Sequence, residues 1–301
     1  MHILLTGGCG FIGSHTADRL VAAGHRVTVL DDLSTGTRAQ LAAGATLVVG
    51  DVADAALVQP LVAAADAVIH LAAVASVERC TQDWLNAHRT NLTGTVTILD
   101  AARAMRTPVV YASSAAVYGN QPVLPLAETA TPHPLSAYGL DKYSSERNAA
   151  IAWDFHGVPS VGLRFFNVYG PRQDATSPYS GVISRFVADA QAGRPLTFFG
   201  DGEQTRDFIY VGDVVTLITQ ALEHMAGAQI FNGCSGQAIS LKQLADQIGT
   251  ALGHAIATAH GPARIADIRH SLGDPALAQA RLGFLAPTTL AEGLAALLAD
   301  A

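Results

Sequence analysis

Leu4-Leu5-Thr6-Gly7-Gly8-Cys9-Gly10-Phe11-Ile12-Gly13 decides the fold. An apolar β-forming run enters a glycine cluster, and the cluster opens a helical stretch. Gly8, Gly10 and Gly13 match the spacing G-x-G-x-x-G, and Gly7, Gly10 and Gly13 match a G-x-x-G-x-x-G variant. The physics is the same for both. Glycines permit a tight turn, close approach of a pyrophosphate and tight helix–strand contact. The helix N-terminus then offers free N–H groups and the positive end of its dipole to the phosphates. The signal gains meaning from its place between a strand and a helix.

Outward from this turn, short β-branched runs alternate with alanine-rich helical stretches. His2–Thr6, Arg26–Leu30, Thr46–Val49, Ala67–His70, Pro108–Ala112 and Ser160–Arg164 read as strands. Phe11–Ala23, Ala55–Ala64, Trp84–Met105 and Tyr138–His156 read as helices. In the third helix, Leu85, Leu92, Val96, Leu99 and Ala102 are expected on one buried face. This alternation predicts an α/β fold, a Rossmann-like doubly wound parallel sheet with helices on both faces. After Asn167 proline and glycine become frequent. Helical stretches recur near Val182–Ala192, Val211–His224, Leu241–Leu252 and Thr289–Leu298. Residues 1–167 are therefore expected to form a dinucleotide-binding domain, and 168–301 mainly a smaller substrate-binding lobe. The chain is expected to re-enter the first domain near 211–232.

Composition narrows the function. The chain has 301 residues, 50% hydrophobic and only 14% charged, which excludes intrinsic disorder. A net charge of −7 without a basic run argues against nucleic-acid binding through phosphate neutralisation. No apolar run approaches 18 residues and the N-terminus lacks a signal-peptide pattern, so a cytoplasmic protein without a membrane span is expected. Cys9, Cys80 and Cys234 are odd in number and widely spaced, as suits reduced thiols, and they lack metal-ligand spacing.

Two further sites carry chemistry. The second strand ends at Asp31-Asp32, with Asp31 18 residues beyond Gly13. A carboxylate there can accept hydrogen bonds from the adenine ribose of NAD and would repel the 2′-phosphate of NADP. Asp32 and the turn Ser34-Thr35-Gly36 belong to the same edge, unless Asp31 only caps that turn. Asp51-Val52 reads as an adenine-edge contact, with a helix N-cap at Asp51 as the alternative. Tyr138 and Lys142 stand four residues apart, on one face of a helix. An ammonium and a cationic nicotinamide would both favour the phenolate, turning a poor base into a useful one. Ser113 and Ser114 end a strand, where the ligand crevice of such a sheet lies; a turn serine is the alternative for Ser113.

These segments, together with Ile69-His70-Leu71-Ala72-Ala73, Ser113–Gly119, Arg164–Arg172 and Gln204–Val211, resemble the extended short-chain dehydrogenases/reductases. Within that superfamily the chain is similar to the UDP-hexose 4-epimerases. The resemblance extends from Met1 to about Phe284. It implies tightly held NAD, a UDP-sugar substrate and a homodimer. It assigns catalysis to Ser114, Tyr138 and Lys142. It places NAD against Phe11, Ile12, Asp31, Asp51, Val52, Leu71, Ala72, Ala73, Thr90, Ser113 and Phe166. It gives the UDP moiety Asn167, Arg206 and Arg264, whose guanidinium forks suit diphosphate oxygens. Val182, Thr197, Phe198 and Phe199 fall on the substrate wall.

Related dehydratases and decarboxylases carry an acid just before Val-Tyr-Gly or Leu-Tyr-Gly. Here the segment is Ser113-Ser114-Ala115-Ala116-Val117, and alanine cannot transfer a proton. The resemblance therefore implies NAD-dependent 4-epimerisation through a transient 4-keto sugar. In the resembled family a position four residues after an aspartate gates the sugar's C2 substituent. Counting from Asp267 it falls on Ser271, small enough for an N-acetyl group, so UDP-N-acetylglucosamine and UDP-N-acetylgalactosamine are expected substrates. A shifted register, with Ser271 on a surface turn, is the alternative. Another nucleotide-sugar enzyme stays open, a UDP-glucuronate 4-epimerase or a sugar-nucleotide reductase, as does a non-catalytic NAD-binding regulator.

Overall fold

The structure is a computed structural model that describes residues 1–174, 181–263 and 268–299. The chain begins β1 (His2–Thr6), α1 (Phe11–Ala22), β2 (Arg26–Asp31), β3 (Thr46–Val49), α2 (Ala55–Ala63) and β4 (Ala67–His70). It continues with α3 (Val77–Gln82), α4 (Trp84–His88), α5 (Gly94–Ala102), β5 (Val109–Ser114), α6 (Ala137–His156) and β6 (Ser160–Phe165). Then come β7 (Asn167–Tyr169), α7 (Val182–Gln191), β8 (Leu196–Phe199), β9 (Thr205–Tyr210), α8 (Val211–Glu223) and β10 (Ala228–Gly233). The last elements are β11 (Ala238–Ser240), α9 (Leu241–Leu252), β12 (Thr258–Gly261), α10 (Ala276–Leu282) and α11 (Leu290–Ala299).

Seven parallel strands form the main sheet in the order β10-β6-β5-β4-β1-β2-β3. The chain builds outward from β1 in one direction, then crosses to β4 and builds in the other. The carboxyl ends of β1 and β4 therefore flank the switch point, where a crevice must open. Successive side chains of β1 point to opposite faces. Ile3 and Leu5 join Val29, Ile69, Val110, Leu217 and Ile218 in one core. Leu4 joins Leu30, Val68, Ile98, Val109 and Val158 in the other. Burial on both faces explains why β4, Ala-Val-Ile-His, is fully buried along its length.

The helix expected over Trp84–Met105 is present as α4 and α5 joined by one wide, π-type turn at Arg89–Thr93. The extra residue in that turn rotates the two halves relative to each other. The expected buried face is corrected accordingly. Leu85 is 80% exposed and Val96 is exposed, whereas Ala87, Asn91, Thr95, Ile98, Leu99 and Ala102 face inward. Helix α3 was not anticipated from the sequence; it starts where the Ser76 side chain accepts from Arg79 N.

Beyond the main sheet lie a three-stranded sheet, β11-β9-β7, and the parallel pair β12-β8. They share a core with α7, α9 and α11 that includes Phe186, Leu196, Phe198, Phe208, Leu244 and Leu294. Asp207 of β9 ties this lobe to the loop after β10. Its carboxylate accepts from Ser235 N at 2.8 Å, Ser235 Oγ at 2.7 Å, Gly236 N at 3.0 Å and Gly273 N at 3.1 Å. Among the described residues no helix is long and apolar enough to cross a membrane.

Candidate active site

The glycine turn at the end of β1 is a cradle without side chains. Gly7 has φ +72°, which favours glycine, and a Cβ there would meet Ala72 N at 2.7 Å. Gly10 N donates to Gly7 O at 3.1 Å. A Cβ on Gly13 would strike the Gly7 carbonyl. Gly7, Gly10 and Gly13 thus close the turn and seat α1 on it. Gly8 serves a different contact, because a Cβ there would meet both Val29 methyls at 2.7 Å. No side chain caps α1 and no acid stands in its first turn. Its N–H groups, from Phe11 and Ile12 onward, are left for an anion.

Asp31 stands at the end of β2, nearly buried. Its Oδ2 accepts from Cys9 N and its Oδ1 from Leu33 N, both at 2.9 Å. It is thus locked against the glycine turn. Gly36 of the following loop also packs on that turn, where a Cβ would meet the Cys9 backbone at 2.6 Å. Thr35 precedes it, and Asp32 accepts from Ser34 N and Oγ at the outer edge. Asp51 is paired with Arg89 at 3.0 Å. It does not cap α2; Asp54 does, accepting from Ala56 N and Leu57 N. Val52 is buried in the core against Gly94, so its backbone is what it can offer a cofactor. Leu71, Ala72 and Ala73 follow β4, with Leu71 N bonded to Thr6 O and Ala72 N to Thr6 Oγ1. Thr90 lies on the wide helical turn, its hydroxyl donating to Asn86 O at 3.3 Å. This crevice fits a dinucleotide: a cradle that a Cβ would fill, an uncapped helix N-terminus and a carboxylate at the ribose edge.

The reacting end is set by α6. Ser136 caps it, accepting from Gly139 N at 3.1 Å. A Cβ on Gly139 would meet Ala116 O at 2.6 Å, so glycine lets the helix lie directly on the turn after β5. That approach brings Tyr138 into hydrogen-bond contact with Ser114. Ser114 Oγ accepts from Ala116 N, which leaves its own proton to give. Lys142 is buried, and its Nζ donates to Ala112 O at 2.8 Å. Burial pushes the Tyr138 phenol up to about 12, with Cys80 adding to the rise and the Ser114 bond opposing it. The ammonium of Lys142 stands 5.8 Å from the Tyr138 ring centroid. Lys142 thus faces the Tyr138 ring, while the ammonium's hydrogen bond goes to the backbone. Burial also draws Lys142 itself down to about 8, against the pull of Cys80 and Asp141.

Ser113 is turned the other way. Its hydroxyl donates to Glu146 Oε1 at 2.6 Å, and Glu146 is bound twice by Arg164, at 2.8 and 2.7 Å. The Ser113 side chain is thus committed to the sheet–helix interface, leaving only its backbone for a cofactor. Phe166 is likewise a core residue, packed with Val117, Tyr118 and Cys234.

Asn167 is exposed at the start of β7 and pairs with Phe208, two residues from Arg206 on β9. Arg206 Nη1 donates to Thr205 O at 2.8 Å. Alternation along β8 separates the expected wall residues. Phe198 faces the lobe core, its ring against Phe186 and His260, while Thr197 and Phe199 are half-buried on the other face. Phe198 is thereby corrected from wall to core. Val182 opens α7 and packs at the edge of that core. Ser271 is buried on a segment bonded to Thr205, its N donating to Thr205 O at 3.2 Å, and not on an exposed turn. Arg264 lies outside the described residues.

Sequence reasoning passed over three residues that organise the site. Asn91, fully buried on the wide turn, accepts from Val74 N at 2.8 Å and donates to Val74 O and Cys80 Sγ. His70 lies 2.7 Å from Thr6 Oγ1 and 3.1 Å from Thr95 Oγ1. Because Thr95 Oγ1 donates to Asn91 O, His70 Nε2 carries the proton and Nδ1 accepts from Thr6. Burial, then Lys142, holds this ring far below its ordinary range, at about 3. Asp141 pairs with His88 beside Lys142. The only signal for Asn91 in the sequence is a polar residue interrupting an apolar helix face.

A sequence model of the NAD dependent epimerase/dehydratase family matches residues 3–233. The chain is 36% identical over 303 aligned positions to a UDP-glucose 4-epimerase of Mycolicibacterium smegmatis, covering 98% of this chain and 96% of that protein. The crystal structure of a Thermotoga maritima UDP-glucose 4-epimerase with UDP-glucose superposes with a TM-score of 0.96 at 33% identity, covering 100% of this chain and 98% of the other. A UDP-N-acetylglucosamine 4-epimerase from Methanobrevibacter ruminantium, in complex with UDP-N-acetylmuramic acid, gives 0.95 at 32% identity, covering 99% and 97%. With the crevice, the reacting pair and these likenesses together, the chain belongs to the NAD-dependent epimerase/dehydratase family and is an enzyme whose cofactor is NAD.

Proposed function

We propose that this enzyme interconverts the C4 epimers of a UDP-hexose, N-acetylated hexoses included. The observation that carries the reading is the composition of the reacting end. Tyr138, Ser114 and Lys142 converge there, while Ala115 and Ala116 stand where elimination or decarboxylation would want an acid. Glu146 and Asp141, the two buried acids of the same helix, are committed to Arg164 and His88. One base with no second acid suits a reaction that removes a proton and later returns it.

Gly7–Gly13 and Asp31 would hold NAD, which would supply a hydride acceptor and donor for C4 and a cationic ring that favours phenolate at Tyr138. Tyr138 takes the proton of the C4 hydroxyl, with Ser114 bonded to the same oxygen. Asn167 and Arg206 hold the UDP end, and Arg264 is assigned to the same diphosphate. The 4-keto sugar turns about that anchor and presents its other face, and Tyr138 gives the proton back. Ser271, small and next to the Thr205–Arg206 strand, leaves room at C2.

The homodimer is part of this proposal. Leu140, Ile151 and Phe155 form an exposed apolar stripe on α6, beside exposed Trp84 and Leu85 of α4. A second copy covering these two helices accounts for a stripe that water leaves unpaired. Sedimentation should give twice the chain mass, and a monomer at micromolar concentration would overturn this part.

The test is incubation with UDP-glucose, UDP-N-acetylglucosamine and UDP-glucuronate, with proton NMR of the products. C4 inversion of the acetylated sugar is expected. Ser271→Tyr should abolish it by steric exclusion while sparing UDP-galactose. Inversion of none of them would overturn the reading, and equal loss of both sugar pairs in Ser271→Tyr would overturn the gate.

A further inference from the structure

Polar side chains cross the main sheet at one level. Ser113 on β5, Arg164 on β6 and Asn232 on β10 are neighbours in the strand register, and all three are buried. Parallel strands covered on both faces ordinarily carry apolar residues there. Here each side chain is paired. Arg164 grips Glu146 of α6, with Nε on Oε1 at 2.8 Å and Nη2 on Oε2 at 2.7 Å, and Ser113 Oγ donates to the same Oε1 at 2.6 Å. The Arg164 guanidinium lies 4.6 Å from the centroid of the Tyr118 ring, and the Tyr118 hydroxyl donates to Asn232 Oδ1 at 2.6 Å. Asn232 Nδ2 donates in turn to Leu126 O at 2.8 Å and Asp274 O at 3.1 Å. A second link runs beside the first: Arg164 Nη1 donates to Glu128 O at 3.2 Å, and Glu128 Oε1 accepts from Asn232 N at 2.8 Å.

The two ends of this row reach the two places that the proposed reaction needs. Glu146 lies on the same face of α6 as Lys142 and Tyr138, one and two turns further along. Its partner Ser113 is the residue before Ser114. At the other end, Leu126 forms a bridge with Gly273. Leu126 N donates to Leu272 O at 2.8 Å, and Leu126 O accepts from Asp274 N at 3.0 Å. Asn232 thereby fastens the segment that carries Ser271.

We infer that Glu146, Arg164, Tyr118 and Asn232 are positioning residues, a buried polar row that sets the Tyr138 face of α6 against the Ser271–Asp274 segment. The inference rests on the reading of Tyr138 as the base and Ser271 as the gate. Stability alone would be served by apolar side chains, because the attraction within a buried ion pair is offset by the cost of drying both charges. What apolar contacts lack is direction. They keep a core folded while its rigidity is lost. A two-pronged guanidinium–carboxylate pair and the hydrogen bonds beyond it hold helix, strands and segment in one arrangement.

The test replaces both charges at once, Glu146→Met with Arg164→Met, which keeps the volume and leaves no buried charge unpaired. Tyr118→Phe is the milder cut, since it keeps the ring under Arg164 and removes the proton given to Asn232. Melting temperature, NAD content and calorimetric UDP affinity should stay near those of the parent in both. With KM little changed, kcat should fall about 10²-fold in the double variant, the worth of a misplacement of roughly 1 Å, and about tenfold in Tyr118→Phe. Hydrogen-exchange mass spectrometry of the NAD-loaded protein reads the row without turnover. In the double variant residues 270–276 should lose protection, although neither replaced side chain is hydrogen-bonded to them. An undiminished kcat in a folded double variant would overturn the inference, as would exchange that changes only beside the replaced side chains. Should the double variant not fold, Tyr118→Phe decides alone: a selective loss of kcat upholds the row and a parental kcat overturns it. Should the parent invert no UDP-sugar, the proposed function falls, and the exchange result judges the row by itself.

Discussion

The cofactor end and the sugar end of this molecule are shaped by different means. Around the first, close approaches are between backbones. A Cβ on Gly7, Gly13 or Gly36 would run into main-chain atoms of Ala72, Gly7 or Cys9, which cannot give way. Around the second, the close approaches are to side chains. A Cβ on Gly202 or Gly261 would meet side-chain carbons of Lys242, Phe198 or Phe199 at 3.2 Å, and on Gly200 only Ala263 at 3.7 Å. A rigid cradle suits a ligand that stays put through every turnover. A wall of side chains would suit the proposed 4-keto sugar, which has to turn over inside it. Under the proposed function the two meet at Tyr138, which the cradle's neighbours hold.

The most severe way to break that comparison is at the junction. Tyr138→Phe removes the proposed proton acceptor of the reacting end and leaves the cradle intact. Turnover should fall by about 10²–10⁴-fold, the usual worth of a positioned general base, while the purified variant retains NAD. If NAD content falls in step with turnover, the two ends are not separable.

What could be read from residues divides along the same line. The cradle was legible because glycine spacing is a backbone signal, and backbone geometry is local. The glycines also show why both spacings matched: Gly7, Gly10 and Gly13 build the turn, while Gly8 packs on Val29. The main sheet was legible from alternation, except β10, whose Ala-Gln-Ile-Phe-Asn-Gly is too mixed in composition to announce a strand. The sugar end was less legible because strand register decides it. One residue separates Phe198 in the core from Phe199 on the other face, and nothing local says which is which. The buried polar residues were least legible. Asn91, His70 and Asp141 acquire meaning only from partners 11 to 64 positions away.

A cut confined to the sugar end is Arg206→Ala. A charge-assisted bond to a diphosphate contributes about 1.5–3 kcal/mol, so calorimetric UDP affinity should weaken by roughly 10- to 150-fold. NAD content and melting temperature should stay near those of the parent. Unchanged UDP affinity would remove Arg206 from the anchor.

A comparable but slower-acting effect belongs to the cofactor end alone. His70 is sealed between Thr6 and Thr95, and its folded value of about 3 lies below its ordinary 6.5. Between those values the unfolded chain takes up a proton that the folded chain refuses. Stability is therefore complete above about pH 6.5 and lost as pH falls toward 3. The slope is about 1.4 kcal/mol per pH unit, or about 2 kcal/mol between pH 7 and pH 5. Urea midpoints over that range should show it, and His70→Gln should flatten the dependence. A wild-type stability that is level from pH 7 to 5 would show that the ring protonates in place.

The smallest effect sharpens the comparison most, because it asks whether the side chain proposed to meet the ribose, Asp31, is instead structural. Asp31 has two duties. Its oxygens hold Cys9 N and Leu33 N, and in the proposed binding mode its charge would face the position of a 2′-phosphate. That charge is felt locally: burial, then Asp31, pushes the Cys9 thiol up to about 11. Asp31→Asn keeps one backbone acceptor and removes the charge. The preference for NAD over NADP should narrow by about tenfold, or about 1.4 kcal/mol, without inverting. Asp32 remains next door, and the chain supplies no arginine before Arg38. The lost backbone bond should appear separately, as a melting temperature lowered by a few degrees in the apoprotein. A lower melting temperature with an unchanged cofactor ratio would make Asp31 a turn anchor only. The cradle would then discriminate its ligand through backbone shape, with no help from charge.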